Sequence, residues 1–486
     1  MSVKDPDAGQ RGGMIFSEVR ERRSGTVAKE QKIIRDLTTG SVPKTLLRFA
    51  MPLFFSGLLQ MVYNMVDMVV VGRFVGTEGL SAVAIGGEVL MLITFVAMGF
   101  SNAGQILISR YVGEDEKDKV GRMVGTLFTL LMGLAAVITV LFLFSYKGIL
   151  RWLNTPEDIW EYTMQYSVTC VYGTVFIYGY NLVSAVLRGM GDSKHPFQFI
   201  AIASVINIVL DVILVGPAGM GPLGAALATV IGQALSFLFA LRLLYRSREQ
   251  IRFDFRPRHF RLYRGVTGPL ISLGIPMVIQ SAAVTFSMLF VNSYVNSYGT
   301  VAVAVTGVAR KLESMIGVIS QAVSSAGGAM ISQALGARKL ERVPKIVVTA
   351  LWVVAVPAAA FAVVTFFRPE WLFGLFSDDE AVLGMAVTYV PVALVQYLGA
   401  TLRPASFALI NGSGNSKLNL AVALLDGIAA RIGLALLLGV ELGLGILGFW
   451  YGNALAGLVP FLIGSVYLAS GRWKQRASPV SDKTGG

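Results

Sequence analysis

The chain has 486 residues, 54% of them hydrophobic and 14% charged, with a mean hydropathy of +0.65 and a formal net charge of +12. That composition excludes an ordinary soluble globular protein, and repeated apolar runs of about 20 residues, enough to cross a ~30 Å hydrocarbon core as helix, specify an all-α polytopic membrane protein. The basic residues lie at the chain ends and between apolar runs, where the positive-inside rule puts them, so the positive charge is read as a topology signal and not as a nucleic-acid surface.

Residues 1–40 mix charge, Gly and Ser without a short apolar core and cleavage site, and are expected to be a disordered cytoplasmic tail. Twelve transmembrane helices follow. The first six are about Thr45–Val71, Val83–Ile108, Val124–Ser145, Thr163–Leu187, Pro196–Val215 and Gly221–Leu244. A basic segment, 245–264, is expected to be a solvated cytoplasmic linker resting on anionic lipid. The second six are about Gly268–Val295, Val301–Ile331, Ile346–Phe366, Met385–Ile410, Leu418–Leu438 and Gly445–Ala469, before a second cytoplasmic tail, 471–486. Lys and Arg crowd alternate loops, as in Arg110 to Arg122, Arg188/Lys194, Arg246 to Arg264 and Arg338 to Lys345, whereas the loops between are acidic or nearly neutral. Both termini are therefore expected on the cytoplasmic side of the inner membrane.

An internal repeat organises the chain. Ser101-Asn-Ala-Gly104 with Ile108-Ser109 and Gly113 matches Ser324-Ser-Ala-Gly327 with Ile331-Ser332 and Gly336. Gly189-Met-Gly191-Asp-Ser-Lys194 matches Gly412-Ser-Gly414-Asn-Ser-Lys417 at the same offset of 223 residues. Two six-helix bundles, 41–244 and 265–470, are thus expected, and an even helix count makes them parallel repeats.

Within the first bundle one carboxylate, Asp67, stands near the end of an apolar run, and Asn207 and Asp211 are spaced i to i+4 on one face of the fifth span. Thr229 adds a hydroxyl in the sixth. At a rise of ~1.5 Å per residue, Asp67 and Asp211 lie about 7 Å below the outer helix ends, and Asn207 and Thr229 about 12–14 Å. Acids inside a membrane helix are costly unless they face a wet cavity or a partner. Two carboxylates, an amide and a hydroxyl form a hard all-oxygen set suited to Na⁺, or to a proton shared because two close carboxylates cannot both ionise cheaply. Tyr63, one turn before Asp67, could hydrogen-bond it, and Pro52 permits a kink.

At the repeat offset Asp67, Asn207 and Asp211 fall on Phe290, Ala430 and Leu434, so the bundle does not require them. The second half carries Arg310 and Glu313 on the eighth span, Arg403 on the tenth, and Asp426 with Arg431 on the eleventh. Arg310 and Glu313 are spaced for an internal pair, Arg403 is near enough to a helix end to snorkel, and Asp426 and Arg431 lie too deep for that. They are secondary substrate or network candidates. No phosphate-binding loop, no metal-ligand spacing around His195 or His259, and no nucleophile–base pair is legible, so neither an enzyme nor a cofactor is expected. Cys170 is the single cysteine, which rules out an intrachain disulfide.

The segment Val42-Pro-Lys-Thr-Leu-Leu-Arg-Phe-Ala-Met-Pro52, the Asn64-Met-Val-Asp67 sequence and the repeated Gly-x-Gly-Asp/Asn-Ser-Lys loops resemble multidrug and toxic compound extrusion (MATE) transporters over roughly Gly40 to Ala469. Asp67, Asn207, Asp211 and Thr229, with Tyr63 and Pro52, look like the amino-lobe cation site of the DinF-like branch. Gly268–Val295 lacks the acid that the NorM-like branch carries there. The resemblance implies a central cleft between two rocking lobes and export of amphipathic organic cations or drugs in exchange for H⁺ or Na⁺. A monomer in contact with membrane lipid is expected. A lipid-linked sugar flippase or a narrow metabolite exporter of the wider superfamily is the alternative.

Overall fold

The computed structural model describes residues 33–477, and the described residues are helical throughout, joined by short turns. The long helices are α1 (Val42–Val75), α2 (Thr77–Gly113), α3 (Lys117–Trp152), α4 (Trp160–Tyr172), α5 (Thr174–Gly189), α6 (Lys194–Val215) and α7 (Gly221–Arg246). They continue with α8 (Thr267–Asn296), α9 (Thr300–Gly336), α10 (Arg342–Phe367), the short α11 (Pro369–Gly374), α12 (Glu380–Gly412), α13 (Ser416–Glu441) and α14 (Ile446–Ala469). Eleven helices are long and apolar enough to cross a membrane, and α4 with α5, bent by 47° at Gly173, make a twelfth span. The chain is a multi-pass membrane protein. Helix α1 runs unbroken through Pro52.

The first six spans pack on one another, α1 on α6, α6 on α7 and α2 on α5, and the last six do likewise, α9 and α10 on α12 and α13 on α14. The two sets meet where α2 crosses α8 and α9, and where α1 leans on α9 and α10. Leu46, Phe49 and Ala50 at the start of α1 are buried in the hydrophobic core built around α9, α10 and α12. One turn of helix in the first half thus belongs by packing to the second.

The sequence repeat has a local cause. Asp192 Oδ1 accepts the backbone N–H of Lys194 and His195 at the start of α6, and Asn415 Oδ1 accepts that of Leu418 at the start of α13. Both are N-terminal caps, a role that short side chains with a carbonyl or carboxylate oxygen fill best, and His195 and Leu418 are themselves repeat-equivalent.

Three segments expected to be a disordered tail, a solvated linker and a cytoplasmic tail are docked along the face that carries the basic loops. Most of the 1–40 tail lies outside the described residues, but its last stretch is a strap across the two halves. Arg35 donates its N–H to Met190 O (2.8 Å) and pairs with Asp192 (3.8 Å), while Leu37 donates to Gln333 Oε1 (2.6 Å) and Arg342 holds Gly40 O (2.9 Å). The linker is folded on α3. Phe253, Phe255 and Phe260 gather around Phe128, Arg252 pairs with Asp118 at 3.0 Å, and Gly121 and Gly125 of α3 leave room for the linker backbone, since a Cβ there would meet Arg252 O at 2.4 Å and His259 O at 2.3 Å. Its arginines hid the anchor from a reading based on charge, because the aromatics between them supply the buried area. In the carboxy-terminal tail, Trp473 is buried and the Arg476 carbonyl accepts from Arg110; residues 478–486 lie outside the described residues.

Candidate ion and substrate sites

The oxygen-rich set of the first half comes together. Helices α1, α6 and α7 pack side by side, which places Asp67 (6% exposed) against Asp211 (0%) and the Thr229 hydroxyl. Asn207, one turn along α6, lies 3.3 Å from both Asp67 Oδ1 and the Thr229 backbone N–H, and the amide orientation that satisfies both, assigned from these neighbours, turns its nitrogen to the carboxylate and its oxygen to the N–H. Val70, Val71, Tyr166, Cys170 and Val215 wall the cluster with apolar surface. Tyr63 stands beside Asp67, Asp211 and Gln233. Asp211 Oδ1, Thr229 Oγ1 and Gln233 Oε1 are buried with no hydrogen-bond partner. Burying a polar oxygen without a partner costs about 1–3 kcal/mol, and here one such oxygen belongs to the facing carboxylate pair while two more, from Thr229 and Gln233, are buried with it, a donor set of hard oxygens with capacity to spare.

A second charged cluster sits on α12 and α13. Residues Leu425–Ala430 form a π-helical turn, a feature often found at functional sites, and it turns Asp426 inward. Asp426 is 1% exposed and shared by two guanidiniums, Arg403 Nη2 at 2.5 Å and Arg431 Nη2 at 3.2 Å. Arg403 therefore does not snorkel to a helix end. Arg431, 2% exposed, also donates to the Asn453 side chain. Glu313 takes a hydrogen bond from Gln396 (3.4 Å) and lies within the field of Arg310, Arg403 and Arg431, but forms no ion pair with Arg310 among the described residues. Removing one partner of a buried pair costs about 3–5 kcal/mol. Asp426→Ala strands two guanidiniums, so we expect a clear drop in the thermal midpoint of the detergent-solubilised protein, larger than for Glu313→Gln.

Between the two halves lies a cavity of about 700 Å³, reached by Gln60 and Asn64 of α1, Gln105 of α2, Arg188 of α5, Glu313 of α9, Arg403 of α12 and Arg431 of α13. That is a volume suited to a drug-sized molecule.

Comparison with known proteins identifies the fold and site together: residues 52–213 and 276–426 match the MatE family. The chain belongs to that family. It is 26% identical over 90% of its length, and 95% of the relative's, to a probable multidrug resistance protein YoeA of Bacillus subtilis, and 31% identical over 63% of its length, and 68% of the relative's, to a probable multidrug resistance protein YpnP of the same organism. Among solved structures it is similar to an outward-facing multidrug resistance MATE family transporter of the MOP superfamily, with a TM-score of 0.84 and 22% identity over 91% of this chain and 98% of that one. A MATE structure in the straight conformation matches with a TM-score of 0.81 and 23% identity over 90% and 98% of the two chains. The protein is a membrane transporter and not an enzyme.

In this MatE chain the structure brings together Tyr63, Asp67, Asn207, Asp211 and Thr229, as the spacing along three helices suggested. Pro52 is elsewhere: fifteen residues before Asp67 on one continuous helix puts it about 22 Å away. Gln233 escaped the sequence reading, although it stands at i+4 from Thr229, the same signal that paired Asn207 with Asp211. Arg188 also escaped it, because a basic residue next to a Gly-rich loop reads as a topology marker.

Proposed function

We propose that this protein is a secondary antiporter of the inner membrane, with both termini cytoplasmic, that exports amphipathic drug-like molecules in exchange for H⁺ or Na⁺. Its two six-helix bundles, 41–244 and 265–470, rock about the central cavity, and the basic face that the strap and tail hold shut is the cytoplasmic one. The three unpartnered oxygens of Asp211, Thr229 and Gln233 carry the reading. A cation that enters supplies the missing partner and neutralises one carboxylate, while the surrounding apolar wall keeps the charge from being solvated any other way.

Coupling requires the ion to prefer one conformation, since equal affinity for both shifts nothing however tight. Asp67 sits on α1, whose lower turns lie in the core of the second half, so occupancy of the site bears on the element that joins the halves. Asn207 and Thr229 complete the shell, and Asp211 is the second carboxylate that makes an empty, doubly charged site costly.

The test is drug efflux from loaded cells with Na⁺ present or absent and with the proton gradient collapsed separately. Efflux that stops under one of the two treatments identifies the coupling ion. Efflux indifferent to both overturns the antiport reading.

A further inference from the structure

The charge of the cavity wall is opposite to what an organic cation would meet in a complementary site. Its charged lining residues are Arg188, Arg403, Arg431 and Glu313. Asp426 behind the wall neutralises one guanidinium's worth of charge for two arginines. Neither Arg403 Nε nor Arg431 Nε has a hydrogen-bond partner, although both atoms are buried.

Arg188 is the freest of the three. Its Nε donates to Gln105 Oε1 (2.7 Å), and Gln105 in turn donates to the backbone and hydroxyl oxygens of Ser325 across the cavity floor (3.1 and 3.0 Å). That chain of bonds fixes the plane of the guanidinium, and no carboxylate of the described residues lies within 4.0 Å of it. A guanidinium so placed presents its remaining N–H groups as a fork, the geometry that takes a carboxylate, sulfonate or phosphate on two parallel hydrogen bonds. Leu53, Met61, Met98, Met277 and Phe407 line other parts of the same cavity, which gives an attached ring system an adaptable apolar surface.

We infer that the central cavity takes an amphipathic substrate bearing at least one anionic group, an organic anion or zwitterion, seated by Arg188 with its apolar body along the methionines, and that Glu313 accommodates the cationic end of a zwitterion. The inference rests on the reading of this cavity as the substrate site. It departs from the organic cations that the family resemblance suggested.

The experiment is equilibrium binding to the purified full chain in phosphatidylcholine nanodiscs, read by fluorescence anisotropy with carboxyfluorescein as the anionic probe and ethidium as the cationic one. Carboxyfluorescein is expected to bind at least tenfold more tightly than ethidium. Arg188→Gln should weaken carboxyfluorescein at least tenfold with little effect on ethidium, and Arg188→Lys, which keeps the charge but loses the fork, should recover only part of the loss. Tighter binding of ethidium by the wild type, or unchanged carboxyfluorescein binding in Arg188→Gln, overturns the inference. Should Arg188→Gln fail to fold, the order of the two wild-type affinities decides the matter. Replacing part of the lipid with phosphatidylglycerol separates two sources of the anion: competition with the dye assigns the seat to a lipid phosphate, and unchanged affinity assigns it to a soluble substrate. Binding is read without any gradient, so a failure here leaves ion exchange at Asp67 standing, and a failure of ion coupling leaves the order of dye affinities standing.

Discussion

Asp67→Asn is expected to reduce efflux to the background of cells lacking the protein while leaving its amount in the membrane unchanged. Asparagine has nearly the shape of aspartate and its side-chain oxygen can still accept from the Asn207 amide, so packing around Val70 and Val71 survives. What it cannot do is hold negative charge, and with Asp211 then the only carboxylate the site no longer changes its net charge by exchange with a cation between two acids. Asp211→Asn should be as severe for the same reason. Thr229→Val and Gln233→Leu each remove one of the orphaned oxygens without altering charge, so they should weaken ion affinity by roughly ten- to a hundredfold, on the scale of one hydrogen bond to a charged group. Everted vesicles loaded with substrate and assayed for ion movement distinguish the classes. Wild-type exchange in both aspartate variants would refute the site as the place of coupling.

The parts of this molecule that were legible in its sequence are those governed by one-dimensional rules. Span length follows from hydrocarbon thickness, which is why twelve spans could be read, including the one that breaks at Gly173. Asp67, Asn207 and Asp211 could be read because an acid in a membrane helix is expensive and i to i+4 spacing fixes a face. Depth along three helices then gave their meeting without any knowledge of how the helices pack. Residues whose role depends on tertiary partners stayed hidden. Arg188 looks like any loop-flanking arginine until Gln105 and Ser325 are brought beside it. The strap at 34–40 and the linker looked solvated by composition, yet Gln333, Lys339 and Arg342 supply partners for the strap's backbone, and Phe128 a surface for the linker's aromatics. A segment's own composition does not report hydrogen bonds waiting some 300 residues away.

The repeat leads to the second large effect, at the crossing of α2 and α9. Gly113 and Gly336 are repeat-equivalent, and in the folded chain each presses on the backbone of the other's helix. A Cβ at Gly113 would sit 2.2 Å from Gln333 O, and one at Gly336 2.4 Å from Arg110 O. Both obstacles are carbonyl oxygens held in helices, so neither can swing aside as a side chain tip would. Around this contact Ser332 Oγ donates to Ile106 O (2.7 Å), Arg110 holds Ser413 O (3.2 Å) and the strap ties Met190 to Gln333, which puts it at the centre of the contacts that join the two halves on the basic face, the seal of the proposed mechanism. Valine in place of either glycine is compatible with the helix itself, but the crossing has to open by roughly an ångström before an oxygen and a methine carbon are at contact distance. Gly113→Val and Gly336→Val are therefore expected to fold and insert, to lose the sealed state, and to abolish efflux. The check is a cysteine placed at cavity-lining Ser325 after Cys170→Ser has removed the native thiol: a membrane-impermeant maleimide applied from the basic side should label it several-fold faster in either valine variant than in the wild-type background. Equal labelling together with normal efflux would mean that the seal is made elsewhere. Alanine, which adds the same Cβ without branches, should give an intermediate rate, because the first carbon already meets the carbonyl and the branches of valine only widen the gap it forces.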